Sequence, residues 1–234
     1  MCGISSGTNV AAARKLAKKL GELGNEYDQG LIKYFTDAFD GEVITDAFPT
    51  NTSDFSTYLA KAKDQGAEVI FCPVSIAYAT QIIKLAASMG LEIPILGSDT
   101  LDSNKVLEAA AGSDVQLYVS TFYQEGGSPE FDDGIKAWMN EDSTAMTNNG
   151  GNDTIAAVTA MGYDAYYVAL EALKAAGSTD KAAVKAALPD VTYTGVSGSI
   201  AFDEQGDAIR DTAYIKTADT ANNAWTLETV QTVE

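Results

Sequence analysis

The sequence contains no histidine, and this absence limits the chemistry open to the chain. Without histidine there can be no Ser-His-Asp or Cys-His catalytic arrangement, and the commonest metal ligand of proteins is missing. The two cysteines, Cys2 and Cys72, are too few for a zinc site. Cys72 lies in a short apolar run, which favours a buried apolar role over half of a disulfide. We therefore expect no catalytic residues, no metal and no other cofactor.

Basic charge and long apolar segments are also scarce. The chain has 15 Lys and Arg residues against 33 Asp and Glu residues, a formal net charge of −18. This balance argues against partners that attract basic patches, namely nucleic acids and anionic membrane surfaces. No run of about 18 apolar residues could span a membrane. The basic and apolar regions of a signal peptide do not precede Met1-Cys2, so we expect either a mature chain or one whose natural start is missing. With 46% hydrophobic residues over 234 positions, the chain can bury one large core or two small ones.

What the sequence does contain is an alternation of short β-branched runs with helical patterns. Val69-Ile70-Phe71-Cys72 predicts a buried parallel strand, residues 79–90 predict a helix, and Ile93-Pro94-Ile95-Leu96 predicts a second strand. Together they predict one βαβ unit. Ligands of open α/β sheets bind outside the carboxyl ends of the strands, and this rule points to residues 73–76 and 97–100.

The same signals predict the other elements of the chain. The segment Gly21 to Asn25 interrupts the alternation, because it is too short and too polar for a strand. Residues 142–153 predict a loop. Further helices are predicted over residues 7–20, 26–39, 55–62, 103–111, 130–140, 154–176 and 181–188, and further strands over 42–45, 115–121, 195–202, 212–216 and 225–230.

Asp99 is the strongest candidate for a binding residue. It follows a predicted buried strand, and a carboxylate there has the chemistry to bind an ammonium group, which must be hydrogen-bonded and paired when it is buried. The alternatives are a cap for the helix that begins near Ser103, or an ordinary turn residue. Ser75 likewise suits a helix N-cap, and that role is compatible with a contact to a ligand.

Several strings, in order over almost the whole chain, resemble the bacterial substrate-binding proteins of branched-chain amino acid (leucine/isoleucine/valine) ABC importers. The strings are Asn25-Glu26-Tyr27-Asp28-Gln29-Gly30-Leu31, Asp54-Phe55-Ser56 with Leu59, Gly97-Ser98-Asp99, Gly162-Tyr163-Asp164-Ala165 and the hairpin of residues 195–206.

The resemblance implies an α/β fold of the type I periplasmic-binding class, with two Rossmann-like lobes and parallel sheets. It implies a second lobe over residues 22–121 and 196–234, and a partial first lobe over residues 2–21 and 124–195. In members of the family, the first lobe opens with a longer segment than is seen here. The start of this chain resembles the last helix of that segment. The chain also lacks the first strand of the second lobe, so we expect an incomplete first lobe.

The function implied by the resemblance is non-catalytic. The family binds a small amino acid by closure of two lobes and delivers it to the permease subunits of an ABC transporter. We therefore expect a periplasmic or extracellular protein that is at most peripheral to the membrane, and a lipid anchor in the full-length protein stays open.

The resemblance also implies a set of ligand-binding residues at the two strand ends. Asp99 matches the partner of the ligand's ammonium group, and Ser98 and Thr100 belong to the same pocket loop. Tyr27 matches a tyrosine that covers the ligand, with a core aromatic as the alternative. The loop that follows the preceding strand contributes Ser75 and Ile76.

Three other hypotheses remain open at this point. A ligand-sensing domain of a regulator or receptor can share the same fold. A fragment with half of its cleft missing can bind nothing. A Rossmann-like or flavodoxin-like enzyme is disfavoured, because the sequence has neither a G-x-G-x-x-G nor a P-loop motif.

Overall fold

The computed structural model describes residues 16–204, 206–210 and 212–232, which divide into two units. The first, here named the sheet unit, comprises residues 16–121 and Tyr214–Gln231. The second, here named the helical unit, comprises the described residues of Phe122–Ala213 together with Thr232. Among all these residues, no helix combines the length and the hydropathy needed to cross a membrane.

The secondary-structure elements alternate between strand and helix up to β5. The strands are β1 (Leu16–Glu22), β2 (Glu42–Phe48), β3 (Val69–Phe71), β4 (Ile95–Gly97), β5 (Leu117–Thr121), β6 (Tyr193–Gly195), β7 (Gly198–Phe202), β8 (Ala208–Ile209), β9 (Thr212–Asp219) and β10 (Ala224–Thr232). The α-helices are α1 (Glu26–Ala38), α2 (Ser56–Asp64), α3 (Ile76–Ser88), α4 (Asn104–Ala110), α5 (Pro129–Glu141), α6 (Ser143–Asn148), α7 (Ala157–Ala176) and α8 (Lys181–Ala187). Short 3₁₀ turns lie at Asp99–Leu101 and Leu188–Asp190.

The sheet unit is built on seven strands in the order β10-β9-β5-β4-β3-β1-β2. The pairs β1–β2, β1–β3, β3–β4 and β4–β5 are parallel, whereas β9 runs antiparallel to β5. The mostly parallel sheet confirms the predicted α/β class and the predicted βαβ unit. The carboxyl ends of β1, β3 and β4 therefore lie at one edge of the sheet.

Strand β3 and the residue after it are buried on both faces, as their β-branched character predicts. Val69 and Phe71 pack with α1, and the ring of Phe71 stacks on that of Phe35 at 4.4 Å between centroids. Ile70 and Cys72 point the opposite way, into the core formed with α2, α3 and α4. The period of two thus buries alternate residues in two different cores.

Two predictions are wrong at β1. Residues 16–20, predicted as part of a helix over 7–20, form a strand, and the sheet unit does not lack the strand that was predicted to be missing. Residues 16–22 pair with both β2 and β3, while residues 7–15 of the predicted helix lie outside the described residues. Ala17, Lys18 and Leu20 are buried. The lysines made the segment look like a basic helix, but Lys18 is neutralised inside the structure by an ion pair with Asp46.

The helical unit has cores of its own. Residues of α5, α7 and the segment before α5 form one core, and residues of α7, β7 and the segment before β6 form another. Strands β6, β7 and β8 make an antiparallel three-stranded sheet. The predicted loop of residues 142–153 contains a short helix, α6, whose first turn is capped by the side chain of Asp142.

The two units differ from the predicted lobes in two places. Residues 16–21 were predicted to lie in the first lobe, but β1 is a central strand of the sheet unit. Residues 196–213 were predicted to lie in the second lobe, but the described residues of this range belong to the helical unit. Residues 196 and 197 belong to the helical unit because Asp164 of α7 accepts hydrogen bonds from the backbone N–H groups of Val196 and Ser197.

Candidate functional site

The candidate site begins where β4 ends and the chain folds into the 3₁₀ turn Asp99–Leu101. Gly97 allows this fold, since a Cβ at that position would lie 3.0 Å from the Cβ of Leu101. The Leu101 N–H donates to the Ser98 carbonyl at 3.0 Å, and the Asp102 N–H donates to the Asp99 carbonyl at 3.1 Å. The turn therefore fixes Asp99 at the carboxyl end of β4, where the sequence predicted a ligand.

Asp99 is held in one orientation by a tyrosine from α1. Its side chain is largely buried, at 8% exposure, and the Tyr27 hydroxyl donates to Asp99 Oδ1 at 2.6 Å. Burial raises the pKa of Asp99, and the negative charge of Asp102 raises it further; the bonds from Tyr27 and from the backbone N–H groups of Asp99 and Thr100 oppose this increase. The predicted neighbours Tyr27 and Asp99 thus meet, although they are 72 residues apart.

Tyr27 reaches Asp99 because α1 begins at the edge of the sheet. Asn25 is the N-cap of this helix, and its side chain accepts a hydrogen bond from the Asp28 N–H. Tyr27 lies in the first turn and is half exposed, at 49%. The core-aromatic alternative for Tyr27 is therefore wrong, because a core tyrosine would be buried.

Hydroxyl groups join the ends of β3 and β4. Ser98 Oγ and Thr100 Oγ1 lie 2.8 Å apart, and the Thr100 hydroxyl also donates to the Val74 carbonyl at 3.2 Å. Ser75 is the N-cap residue of α3, as predicted, but its side chain makes no cap hydrogen bond. Ile76 begins α3 and is partly exposed.

The structure thus joins four of the six predicted residues directly, namely Tyr27, Ser98, Asp99 and Thr100. Ser75 and Ile76 lie next to Val74, whose carbonyl is bonded to this cluster. Within the described ranges, no hydrogen bond connects either of them to Asp99.

Asp99 brings a carboxylate to this site. Among the described residues, no lysine or arginine forms an ion pair with Asp99. A buried carboxylate of this kind suits a cationic group supplied by a ligand. No group of three or more metal-ligating Cys, Asp or Glu residues occurs in the described part of the chain.

Sequence reasoning missed a second acidic residue beside the site. Asp28 is buried at 1% exposure, and its Oδ2 atom has no hydrogen-bond partner among the residues that the structure describes. Burial raises the pKa of Asp28 to about 6, while a backbone hydrogen bond from Glu22 opposes the increase. Its place at the third position of α1 was visible in the sequence, but its burial follows from the packing of α1 beside β1.

A separate pocket lies in the helical unit. It has a volume of about 280 Å³ and is lined by residues of β6, β7 and β8, including Tyr193, Ser199 and Ile200. Among the described residues, its lining carries no Asp, Glu, Lys or Arg.

Comparison with known proteins identifies the family. The model of the periplasmic binding protein family matches residues 11–223. The chain belongs to this family. It is 29% identical over 196 residues to the Leu/Ile/Val-binding protein homolog 1 of Brucella abortus, which covers 83% of this chain and 46% of that protein. The chain therefore spans about half the length of the curated relatives that it matches.

Solved structures of periplasmic binding proteins share the fold. A leucine-binding protein of Thermotoga maritima superposes with a TM-score of 0.77 at 24% identity, covering 96% of this chain and 65% of that one. A branched-chain amino acid transporter substrate-binding protein of Streptococcus pneumoniae, solved with isoleucine, gives 0.67 at 22% identity, covering 93% and 60%. These similarities confirm the predicted type I periplasmic-binding fold.

Proposed function

We propose that this chain is the ligand-recognising part of a solute receptor for an ABC importer, and that it binds a small amino acid of branched-chain or related type. The observation that carries the proposal is the buried Asp99 carboxylate, oriented by Tyr27 and lacking a lysine or arginine partner among the described residues. Asp99 would accept the ligand's ammonium group. Removing an ammonium group from water is costly unless a carboxylate and further acceptors replace the lost hydration.

The remaining site residues suit the rest of such a ligand. The Ser98 and Thr100 hydroxyls lie beside Asp99 and supply polar contacts. Ile76, partly exposed at the start of α3, supplies an apolar contact for an aliphatic side chain. The names of the relatives support this choice, since one is described as Leu/Ile/Val-binding and another was solved with isoleucine.

The biological role follows from the family. We propose that the two units correspond to lobes that close on the ligand, and that the closed receptor delivers it to the permease subunits. We further propose that the protein works in the periplasm or outside the cell without catalysing a reaction. Membership of a substrate-binding family supports each of these points.

Titration calorimetry tests the binding proposal directly. The purified chain would be titrated with leucine, isoleucine, valine, alanine and threonine, and with 4-methylpentanoate, which keeps leucine's carbon skeleton without its ammonium group. We expect saturable binding of at least one amino acid and none of 4-methylpentanoate. Asp99→Asn should weaken binding about 100-fold or more, because it removes the charged partner.

Asp114→Asn is the matched control, since Asp114 is exposed and precedes β5 in the same unit. It should bind like the parent chain. A parent chain that melts cooperatively and binds no member of the panel would contradict the proposal and favour a non-binding fragment.

A further inference from the structure

A buried ion pair lies directly behind the turn that presents Asp99. Lys216 Nζ is 3.0 Å from Asp102 Oδ2, and the Thr121 hydroxyl donates to the same oxygen at 2.8 Å. Each of the three residues is at most 3% exposed. Burying two charges is costly, and an apolar pair of similar size is often at least as stabilising. Stability alone therefore gives little reason for the pair.

The pair is attached to the ligand site through the backbone. Asp102 follows the 3₁₀ turn directly, and its N–H donates to the carbonyl of Asp99 at 3.1 Å. Any movement of Asp102 would therefore move the turn that carries the candidate ammonium acceptor.

The sheet brings the other two residues to Asp102. Strands β5 and β9 are antiparallel, with Val119 opposite Lys216 and Thr121 opposite Tyr214. Because side chains alternate along a strand, Thr121 and Lys216 project from the same face and reach the same carboxylate. Lys216 lies 114 residues beyond Asp102, so only the pairing of β9 with β5 makes this contact.

The polar and charged groups around Asp99 come from several elements. Tyr27 faces it from α1, Thr100 lies in its own turn, and the charge of Asp102 raises the pKa of Asp99. Lys216 is the cation that offsets Asp102. Without it, the Asp102 carboxylate would lie three residues from Asp99 without this compensating positive charge, in a poorly solvated region, and Asp99 would hold its proton more tightly.

We propose that Lys216 is a positioning residue of the ligand site: by anchoring and neutralising Asp102, it holds the turn that presents Asp99 and keeps the Asp99 carboxylate ionised. This inference rests on the proposed function, since it assigns Lys216 a role in binding a cationic group. A proton and the ligand's ammonium group compete for Asp99. Lys216 therefore extends the pH range of binding downward.

A double-mutant cycle tests the proposal. The parent, Lys216→Met, Asp102→Asn and the double variant would be compared by carboxyl ¹³C NMR titration of Asp99 without ligand. Amino-acid affinity would then be measured against pH. In Lys216→Met we expect both the pKa of Asp99 and the pH midpoint of binding to rise. In Asp102→Asn both should fall, and the double variant should return close to the parent.

Lys105→Met is the matched control for loss of a positive charge. Lys105 lies three residues from Asp102, but it is half exposed and paired at 3.5 Å with Glu108. It should leave both midpoints unchanged. If Lys216→Met fails to fold, Asp102→Asn and the double variant still test the proposal. The proposal is overturned if neither the pKa of Asp99 nor the pH midpoint of binding falls in Asp102→Asn.

The outcomes separate this inference from the proposed function. A parent that binds no amino acid overturns the proposed function, and the role of Lys216 in binding falls with it. A parent that binds, while folded Lys216→Met keeps the parent's pKa of Asp99 and the parent's pH profile, overturns this inference alone. A merely structural Lys216 would lower the melting temperature and leave both midpoints in place.

Discussion

Asp99 and Tyr27 form the central contact of the candidate site. A phenol that donates to a carboxylate at 2.6 Å stabilises the charged form and fixes the direction of the free lone pairs. Burial acts in the opposite direction and raises the pKa of Asp99. The site therefore combines a charged acceptor with limited hydration, which is the condition under which an added ammonium group binds well.

Replacing Tyr27 with phenylalanine tests this contact. Tyr27→Phe keeps the ring and removes the hydroxyl, so the pKa of Asp99 should rise and amino-acid affinity should fall about 3- to 10-fold at neutral pH. Calorimetry against pH provides the measurement. Tyr34→Phe, on the same helix and equally exposed, is the control and should behave like the parent. Equal affinities for both variants would show that the Tyr27 hydroxyl does not support Asp99.

Asp28 predicts a pH dependence of stability. Its pKa is raised from 3.8 to about 6 in the folded chain, chiefly by burial. The folded state therefore holds this proton more tightly than the unfolded state, so the parent loses stability as pH rises from about 4 to above 6. Asp28→Asn cannot ionise. It should be more stable than the parent by about 1–2 kcal/mol at pH 7.5, and this gain should vanish near pH 4.

Urea unfolding between pH 4 and 8 measures this gain. Asp64→Asn, an exposed residue at the end of α2, is the control and should show no comparable gain. If the difference between Asp28→Asn and the parent stays constant over this range, Asp28 does not carry the raised pKa.

At the scale of elements, β1 shows how pairing overrides a local pattern. Its sequence, LAKKLGE, has the lysines of a solvated helix, yet it lies between β2 and β3. Burying Lys18 becomes possible because Asp46, on the neighbouring strand β2 and two residues beyond the residue opposite Lys18, neutralises it, and Lys61 binds the same carboxylate at 2.8 Å. Burial alone would raise the pKa of Asp46, but the bonds and charges of the two lysines outweigh it and lower the pKa.

Asp46→Asn tests the contribution of this ion pair to β1. It leaves the Lys18 ammonium buried without a charged partner, so we expect the free energy of unfolding to fall by about 2–4 kcal/mol. Asp37→Asn breaks the exposed Lys33–Asp37 pair, which solvent screens, and should leave the free energy of unfolding nearly unchanged. Chemical unfolding of both variants at pH 7 gives the comparison. Similar losses would mean that Lys18 finds another partner or reaches water.

At the scale of the whole molecule, the sheet unit and the helical unit have separate cores. In the helical unit, Asp164 is fully buried in α7 and accepts bonds from the Val196 and Ser197 N–H groups at 2.9 and 2.8 Å. Gly195 is required beside it, because a Cβ there would collide with the Asp164 carboxylate. These contacts give Asp164 a structural role in the helical unit.

Asp164→Ala should therefore destabilise one unit selectively. It leaves the partly buried N–H donors of residues 196 and 197 without this acceptor, at a cost of about 2–4 kcal/mol. Amide hydrogen exchange should show faster exchange in α7 and β7 and unchanged protection in β3 and β4. Asp133→Ala, an exposed change on α5, should alter neither region. Loss of protection in both units together would show that they unfold as one.

The sequence by itself determined the α/β class, the β3–α3–β4 unit and the position of Asp99. These follow from local signals: short β-branched runs, a helical period, and the rule that ligands meet the carboxyl ends of parallel strands. Ser98, Asp99 and Thr100 lie where this rule placed them, at the end of β4 beside β3. Tyr27, which only the family resemblance had indicated, reaches Asp99 from α1.

Only the tertiary structure decided the features that depend on distant partners. The strand at residues 16–22 requires β2 and β3 on either side, and a buried lysine there requires Asp46. The contact of Lys216 with Asp102 requires β9 to pair with β5 across about a hundred residues of chain. Local sequence patterns do not identify such distant partners. Whether a charged side chain is buried and neutralised depends on which residues the fold brings next to it.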